Sequence, residues 1–531
     1  MPRHRGNHDE RLLSRRQLVR TAGAGAVLLA SGALAGCGTA AIPGAQAATD
    51  VGGSRGGRLR VGVVGGSAKD TLDAHGPVTH PDEARVINLY DTLLEFDHDY
   101  RLQPALAESV EANKEATVWT VRLRPGLEFG NGKTITADDV VATIRRIADP
   151  QDPKSGAAGF AAVDLHDLTV LDNRTVRLHL KTPDATLDDQ FAQYSNGIVP
   201  ADYDPKRPVG SGAFTVRSFQ PGLRSVFSAN RNYWRPHEPQ LGELVIIDFP
   251  DDTARVNALL GGQVDAIDQL PIALINVING DPGLQVLESQ TGAWLPFTMR
   301  VDTPPFDDAR VRQALRLVVD REQMINQVLS GHGRIANDLY SPFDPCYDTS
   351  LPQRHQNIDK ARSLLRQAGK EDLSVELVTS PVAAGLVEAA QVFARQAAAA
   401  GVNVHVRKVD PGEFYGDKYL KWPFAQDFWF TRNFLPQASS GSMPDAPYNE
   451  THWNNKEFIS LVRQAKATVD REDRCRLIQQ AQQIEHESGG YIIWGFTNQV
   501  DAYNVRVHGL RPDRSGIPLS GYKFRQVSFG S

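Results

Sequence analysis

The chain has 531 residues, of which 57 are Lys or Arg and 63 are Asp or Glu, giving a formal net charge of −6. This acidic balance argues against a nucleic-acid-binding protein, which needs a basic face to displace counterions from phosphates. The length exceeds what one hydrophobic core usually supports, so we expect two or three domains.

The first 37 residues carry the features of an export signal in the expected order. Paired arginines at positions 15 and 16 precede an apolar run over 22–35, and the sequence LAGC ends at Cys37. The run has about 14 residues, whereas a bilayer-spanning helix needs ~20, so residues 1–36 are predicted to be a cleaved signal peptide. The arginine pair indicates the twin-arginine route, and LAGC resembles the lipoprotein box that places a lipid on Cys37. The alternative is an ordinary secreted protein with a coincidental cysteine.

Residues 37–57 are rich in Gly, Ala and Ser, which predicts a flexible tether before an ordered body. Besides Cys37 the chain has two cysteines, Cys346 and Cys475. Outside the cytosol these two could pair, but sequence alone cannot place their backbones within bonding distance, so both states stay open. Two isolated cysteines do not form a zinc site, and we expect neither a metal nor a cofactor.

The ordered chain begins with a strand-rich stretch. Residues 59–64 and 117–124 alternate apolar and polar side chains as strands do. Thr136 and Asp139 stand at the spacing of a capping box that opens a helix. The other elements predicted before residue 250 are a helix over 83–96 and strands over 167–172, 174–180, 213–219, 224–229 and 243–249.

After residue 251 the pattern becomes more helical. Apolar side chains recur on one face throughout 307–329, which predicts one long helix. Gly369 and Gly401 stand where glycine commonly ends a helix. Strands alternating with helices indicate an α/β or mixed α+β fold. The other predicted elements are helices over 253–260, 359–368, 387–400, 456–469 and 471–488 and strands over 402–409 and 491–494.

Catalytic motifs are incomplete in this chain. The stretch GNGKT at 130–134 lacks the earlier glycine of a phosphate-binding loop, since position 127 is Leu, and a turn explains it better. Gly210-Ser211-Gly212 lacks the spacing of a hydrolase elbow. Because no nucleophile with a matched base is visible, the sequence favours a binding protein over an enzyme.

Several segments match one family in order along the chain. They resemble the family 5 solute-binding proteins of bacterial ABC transporters, the dipeptide, oligopeptide and nickel group. The matching segments are WTVRLRPGLEF (119–129), NGK (131–133), TADDV (136–140), GSGAF (210–214), NYW (232–234), GQVDA (262–266), FDDARVRQAL (306–315) and DKARSLLRQAG (359–369).

The resemblance implies a periplasmic-binding-protein-like fold of two lobes that close on a ligand, with an additional inserted domain. Lobe I would comprise 58–84, 209–296 and 496–531, and lobe II 297–495. The inserted domain II would be 85–208. The two crossings between the lobes, near 294–298 and 494–497, would form the hinge.

The resemblance also implies where a peptide ligand would lie. Members of this family that bind peptides place an acidic residue three positions after a tryptophan, and it pairs with the peptide ammonium. Here Trp429 is kept, but Arg432 occupies the acidic position and would attract a carboxylate or phosphate instead. Alternatively the alignment slips, and Asp427 or Asp445 supplies the anion. The other implied ligand contacts are Trp294, Phe414, Phe430, Trp494 and Asp268, the last of which is more often a surface residue.

Taken together, these features predict a lipid-anchored receptor on the outer face of the cytoplasmic membrane. It would capture peptide-like solutes as a monomer and deliver them to an ABC permease driven by separate ATPase subunits. A metal chelate, an opine or a sugar is the alternative cargo, and an exported lipid-anchored hydrolase is the alternative of another class.

Overall fold

A computed structural model describes residues 56–530, so the predicted signal peptide, the predicted lipid site at Cys37 and nearly all of the predicted tether lie outside the described residues. The strands of the described part are, in chain order, β1 (Arg58–Val64), β2 (Leu94–Phe96), β3 (Leu102–Pro104), β4 (Ala107–Ala112), β5 (Val118–Leu123), β6 (Val163–Asp172), β7 (Thr175–Leu180), β8 (Phe214–Gln220), β9 (Arg224–Ala229), β10 (Glu243–Phe249), β11 (Ala266–Ile267), β12 (Leu284–Trp294), β13 (Phe297–Met299), β14 (Gly333–Ile335), β15 (Ser374–Thr379), β16 (Asn403–Lys408), β17 (Phe424–Gln426), β18 (Tyr491–Ile492), β19 (Gly495–Asn504), β20 (Val507–His508) and β21 (Ser528–Phe529).

The helices between residues 56 and 530 lie mostly in the second half of the chain. They are α1 (His80–Leu89), α2 (Ala137–Ile147), α3 (Leu187–Phe191), α4 (Asp252–Leu260), α5 (Ile275–Asn279), α6 (Ala309–Leu317), α7 (Arg321–Val328), α8 (Ile358–Gln367), α9 (Leu386–Ala398), α10 (Pro411–Phe414), α11 (Phe434–Gly441), α12 (Lys456–Lys466), α13 (Arg471–Ser488) and α14 (Pro518–Gly521). With 21 strands beside them, the mixed α/β class predicted from the sequence is confirmed.

An eight-stranded sheet is built from four separate stretches of the chain. Its order is β12-β19-β11-β1-β10-β9-β8, and β14 pairs with β19. The first strand lies in the interior, parallel to both β10 and β11. Leu59, Val61 and Val63 of that strand are fully buried, because their alternate side chains face the core.

A separate four-stranded antiparallel sheet follows the order β4-β5-β7-β6. Trp119 and Val121 of β5 and Val140 of α2 belong to its apolar core. The predicted capping box is present, since the Asp139 carboxylate accepts hydrogen bonds from the Thr136 amide at 2.8 Å and its hydroxyl at 3.0 Å. This box fixes the start of α2 at the predicted residue.

Four smaller sheets remain in the described part of the chain, of which β2-β3 and β20-β21 are two-stranded antiparallel pairs. Strands β15 and β16 are parallel, and β13 is the central strand between β17 and β18. Helices α6 to α9 pack on these sheets around one core, in which Phe297, Phe393 and Trp494 are fully buried. Among residues 56–530, no helix is long and apolar enough to cross a membrane.

The chain passes between the eight-stranded and three-stranded sheets twice. It leaves the large sheet at Trp294, the end of β12, and enters the smaller one at Phe297. It returns between Ile492 and Gly495, where β18 gives way to β19. Both passages fall where the sequence predicts hinge crossings, and their mechanical role stays a prediction.

Two predicted helices are wrong in length. The helix predicted over 83–96 ends at Leu89, because Tyr90 adopts an extended conformation, and 94–96 form β2. The helix predicted over 307–329 is two helices, α6 and α7. Asp320 separates them, since its side chain accepts a hydrogen bond from the Gln323 amide and starts the second helix as an N-cap.

A disulfide joins Cys346 to Cys475, with the two Cα atoms 4.7 Å apart. It links the loop after Tyr340 to helix α13, and 129 residues separate the two cysteines. The structure thereby resolves the pairing that the sequence leaves open.

Candidate functional site

Trp294 and Trp429 form the centre of an aromatic stack beside the first sheet-to-sheet passage. The amide of each residue donates a 3.0 Å hydrogen bond to the carbonyl of the other. Their indole rings are stacked with centroids 5.8 Å apart, and Tyr340 stacks on the other face of Trp294 at 5.6 Å. All three side chains are at most 1% exposed. These rings therefore form the rigid base of the site rather than an open ligand surface.

Thr431 ties three distant parts of the chain together. Its hydroxyl accepts a hydrogen bond from the Gly292 amide at 2.8 Å and donates one to the Arg514 carbonyl at 2.9 Å. Its carbonyl accepts a 3.2 Å hydrogen bond from the Tyr100 hydroxyl. Because this side chain is almost fully buried, the segment 429–433 has a fixed course between the sheets.

Asn433 connects the same segment to the part of the chain around the four-stranded sheet. Its Nδ2 donates to the Asp189 carboxylate at 2.8 Å. Burial raises the pKa of Asp189 well above its usual range, and the adjacent Asp188 carboxylate raises it further. The pKa of Asp188 is itself raised, to about 6, mainly by burial. Asp188 and Asp189 line a cavity of about 110 Å³. Asn433, Asp344 and Pro345 line the same cavity.

Phe430 is the most exposed residue of this segment, and Arg432 and Asn433 are partly buried. Phe430 is 52% exposed. The Arg432 guanidinium is partly buried, and its carbon lies 5.7 Å from the ring centroid of Trp429. Its positive charge also lowers the pKa of Tyr194, which the Glu83 carboxylate and burial raise. A cation and an anion from different elements therefore act on the same phenol.

Glu83 lies on a partly exposed face of helix α1. Residues 80, 83 and 87 share this face, whereas the intervening side chains are buried. The Glu83 carboxylate lies 3.5 Å from Nδ1 of His80. Burial would lower the pKa of His80, but Glu83 raises it above its ordinary value. The face thus carries an acidic residue paired with a partly exposed imidazole.

Asp268 is fully buried beside this face, so its interpretation as a surface residue is wrong. Its carboxylate accepts hydrogen bonds from the Val64 amide at 3.0 Å and the Tyr522 hydroxyl at 2.9 Å, and Arg255 lies 3.5 Å away. Burial raises the pKa of Asp268, and Arg255 opposes the rise. It holds the ends of β1 and β11 together, and its predicted contact with ligand stays untested.

The other predicted ligand residues lie in apolar cores. Trp494 is fully buried in the core of the three-stranded sheet. Phe414 is 2% exposed and packs with Tyr415 and Trp422 in a separate cluster. Asp427, the alternative anion, is 1% exposed and accepts hydrogen bonds from the hydroxyls of Tyr415 and Tyr419. The structure thus brings together Trp294, Trp429, Phe430 and Arg432 and leaves Phe414, Trp494 and Asp268 apart.

Sequence reasoning missed Thr431, Asn433 and Glu83. The first two adjoin Arg432, but a threonine and an asparagine in a loop carry no signal of their long-range partners. Glu83 is one acidic residue among many in first helical turns. Among residues 56–530, no group of three or more His, Cys, Asp or Glu side chains is arranged to hold a metal ion.

Comparison with known proteins adds relatives of similar length. Di/tripeptide-binding protein 2 of Pseudomonas aeruginosa strain UCBPP-PA14 is 26% identical over 461 residues, covering 80% of this chain and 86% of the relative. Heme-binding protein A of Haemophilus influenzae is 28% identical over 449 residues, covering 76% and 81%.

Among solved structures, the PBP AgaA in complex with agropinic acid, from A. tumefaciens R10, superposes with a TM-score of 0.73 at 24% identity. The match covers 90% of this chain and 99% of AgaA. The predicted periplasmic-binding-protein-like fold is thereby confirmed. The family model for bacterial extracellular solute-binding proteins, family 5 Middle, matches residues 101–449. Since that match covers more than half of the sequence, the chain belongs to the family 5 extracellular solute-binding proteins of bacterial ABC transporters.

Proposed function

We propose that this chain is the lipid-anchored receptor of an ABC importer and captures peptide-like solutes in a cleft between two lobes. Lobe I would comprise 58–84, 209–296 and 496–531, with 85–208 as the inserted domain II and 297–495 as lobe II. The observation that supports the proposal is the segment 429–433, which is hydrogen-bonded to Trp294, Tyr100 and Asp189, residues that fall in the proposed lobe I and domain II. The same segment carries Arg432 and the exposed ring of Phe430.

Arg432 would bind an anionic group of the cargo, or it would face a peptide end that has no free amino group. A guanidinium attracts carboxylate and phosphate bidentately and repels an ammonium group. The burial of Asp427 and its two tyrosine partners support Arg432, rather than this aspartate, as the charge that the cargo meets. Phe430 would contact the cargo with its exposed ring, and Trp294 and Trp429 would support the segment that carries it. The ligand contacts that the resemblance implies for Phe414, Trp494 and Asp268 stay predictions.

Calorimetric titration of tripeptides into wild type and an Arg432→Ala variant tests this role. Affinity for peptides with a free carboxylate should fall on the order of tenfold or more, because a charge-assisted hydrogen bond is lost. Arg432→Lys keeps the charge without the planar fork and should lose less. Unchanged affinity of the Ala variant for every peptide that binds wild type would contradict the role of Arg432.

The second candidate keeps the fold and changes the cargo to one defined small molecule. It is favoured by the relatives, because one is named a heme-binding protein and a structural neighbour was solved with agropinic acid. Native mass spectrometry of protein purified from its host separates the candidates. A mixture of peptide masses supports the first, and one defined mass supports the second. Turnover of ester and peptide substrates would instead favour an exported hydrolase.

The lipid on Cys37 would hold the receptor near its permease, with residues 37–57 as a flexible link that raises the effective concentration. We expect a monomer that hands its cargo to the permease and its ATPase subunits. A Cys37→Ser variant should be released from membranes and still bind cargo. Loss of binding by folded Cys37→Ser protein would contradict the separation of anchor and receptor.

A further inference from the structure

Resting on the proposed function, we propose that Asp188, Asp189 and Asp344 form a pH-sensitive latch between helix α3 and the segments around residues 344 and 433. The latch is closed when the hydrogen bonds beside these carboxylates are made, and it loosens as the pH rises. A cargo held between the proposed lobes is then bound more tightly in acid. A cavity, the bonds across it and the charges around it support this assignment.

The carboxylates of the latch line one cavity of about 110 Å³ between two apolar cores. On one side of the cavity lies Leu102, which packs against the core of the four-stranded sheet. On the other side lies Leu435, which belongs to the core of helices α11 and α13. Asp188 and Asp189 come from the first side and Asp344 from the second. Carboxylates from two separately packed parts of the chain therefore share one small space.

Hydrogen bonds join the two sides beside the cavity. Asp189 accepts from Nδ2 of Asn433 at 2.8 Å, and the Ala185 amide donates to the Lys466 carbonyl at 2.6 Å. The Lys466 ammonium lies 3.0 Å from the Asp184 carboxylate. Because these contacts are polar and lie next to the three carboxylates, a change in the charge of the carboxylates acts directly on them.

The basic side chains around the cavity are partly engaged elsewhere. Lys466 pairs with Asp184, which is not one of the three carboxylates of the latch. Nη1 of Arg474 donates to two carbonyls of the turn between α12 and α13, at 2.9 Å each. Arg471 lines the cavity but is exposed to solvent, which screens its charge. The three carboxylates are therefore incompletely neutralised when all of them are ionised.

Asp344 is fixed in place by the backbone. Its two carboxylate oxygens accept hydrogen bonds from the amides of Cys346 and Phe434, at 2.7 Å each. Burial raises the pKa of Asp344, whereas these amides, Arg474 and Arg471 lower it. The disulfide of Cys346 also ties this loop to α13. The carboxylate cannot turn away from α3 without breaking these bonds, so a negative charge on α3 meets it at close range.

The carboxylates of α3 hold their protons to a higher pH than exposed carboxylates do. Burial raises the pKa of Asp188 to about 6, and the Asp184 charge adds to the rise. Burial and the charges of Asp188 and Asp344 raise the pKa of Asp189 well above its usual range. Burial and the charge of Asp189 also raise the pKa of the nearby Tyr100 phenol, so it stays neutral between pH 5 and about 8.

Opening the latch exposes its carboxylates to water, so their pKa values return towards the ordinary range. The closed latch therefore binds more protons than the open one, and rising pH favours opening. For Asp188 alone, a pKa of about 6 when closed and 3.8 when open weakens the closing equilibrium about tenfold between about pH 5 and pH 7.5. Cargo that binds the closed state better loses affinity over the same range.

Hydrogen exchange of the full chain in detergent, without cargo, tests the latch. The Ala185 amide donates across the interface, so its protection from exchange reports on closure. Overlapping peptides that resolve Ala185 are analysed by mass spectrometry, and rates are corrected for intrinsic exchange at each pH. Wild-type protection at Ala185 should be about tenfold greater at pH 5 than at pH 7.5.

The double variant Asp188→Asn, Asp189→Asn should keep its protection constant over this range. Its amides carry no charge, and the oxygen at position 189 can still accept from Asn433. Asp188→Asn alone should flatten the profile in part, and it replaces the double variant if that protein does not fold. Asp138→Asn is the matched control, since Asp138 is an exposed acidic residue in the first turn of α2, and it should follow wild type.

The effect on cargo is measured with a tripeptide mixture. Peptides retained after equilibrium dialysis are quantified by mass spectrometry at pH 5 and pH 7.5. Retention by wild type should fall together with the protection of Ala185, and retention by the double variant should stay constant. Equal melting temperatures of the variants and wild type at one pH verify folding.

The latch is overturned if wild-type protection at Ala185 is the same at both pH values. It is also overturned if the folded asparagine variants keep the wild-type profile, or if Asp138→Asn loses it. Constant peptide retention beside a changing protection would overturn the effect on cargo. Retention of no peptide at either pH would overturn the proposed function, while the exchange measurement still decides whether the latch exists.

Discussion

The buried ion cluster around Arg85 predicts a loss of stability with rising pH that one substitution should remove. Arg85 is fully buried, and its Nη1 lies 2.9 Å from an Asp70 oxygen and 3.1 Å from an Asp82 oxygen. Its Nη2 lies 2.6 Å from the Asp248 carboxylate. One guanidinium thus faces three carboxylates, which leaves the cluster with excess negative charge if all three are ionised.

Burial raises the pKa of Asp248 from 3.8 to about 7, Arg85 opposes the rise, and Asp70 adds to it. The folded protein therefore keeps this proton to a higher pH than the unfolded chain does. The protonated Asp248 carboxyl therefore contributes fully to the free energy of unfolding below about pH 4, and this contribution is lost as the pH rises to about 7. A shift of this size corresponds to roughly 4 kcal/mol.

Asp248→Asn should remove this dependence. The amide oxygen can still accept from Arg85, and the amide nitrogen can donate to Asp70 as the protonated carboxyl does. At pH 8 the variant should be as stable as wild type or more stable, by at most about 4 kcal/mol, or roughly 2–4 °C in melting temperature per kcal/mol. Thermal unfolding followed by circular dichroism between pH 4 and 8 measures the difference.

Asp372→Asn serves as the control, because Asp372 is exposed in the loop before β15. It should follow the wild-type profile throughout. The reasoning fails if Asp248→Asn keeps the wild-type decline between pH 4 and 7. A melting temperature at pH 8 that is well below that of wild type would also refute it, since the neutral side chain would then not relieve the cluster.

Three further effects should appear in thermal unfolding. Serine at both Cys346 and Cys475 should lower the melting temperature as much as reductant lowers that of wild type, since opening a loop of 129 residues costs roughly 3–5 kcal/mol. Thr431→Val should cost about 1–3 kcal/mol because the Gly292 amide loses its acceptor, while Thr431→Ser should stay near wild type. Burial raises the pKa of Asp513, but His98 and Lys523 bring this pKa down to about 2. Asp513→Asn should therefore lower the free energy of unfolding by roughly 2 kcal/mol at pH 7, and this loss should disappear as the pH falls through about 2.

Some ends of local elements were predictable from capping residues, and one was missed. Thr136 and Asp139 fix the start of α2, and Gly369, with φ of +65°, follows the end of α8. The single helix predicted over 307–329 fails because apolar periodicity continues through Val318 and Val319, while the break depends on Asp320 acting as an N-cap. Periodicity reports which face is buried, and it does not report whether the backbone is continuous.

The site was predictable only in part, because its contacts join residues far apart in sequence. Trp294 and Trp429 exchange backbone hydrogen bonds across a long stretch of chain, and nothing local in either indicates its partner. The family resemblance points to Arg432, whose contact with cargo stays a prediction, and only the observed burial shows which aromatic side chains are accessible. Phe430 is exposed, whereas Phe414 and Trp494 follow similar local patterns and lie in cores.

In the proposed receptor, the segment 429–433 would couple cargo binding to lobe closure through its own backbone contacts. Trp429 is bonded to the end of β12, where the chain leaves the large sheet, and Thr431 is bonded to Gly292 of the same strand. If Arg432 holds the cargo as proposed, the cargo would act on a backbone that is already fixed to one passage between the sheets. A ligand shifts a conformational equilibrium only by its difference in affinity for the two states. A cargo whose anionic group binds Arg432 more tightly in the closed state would therefore favour closure.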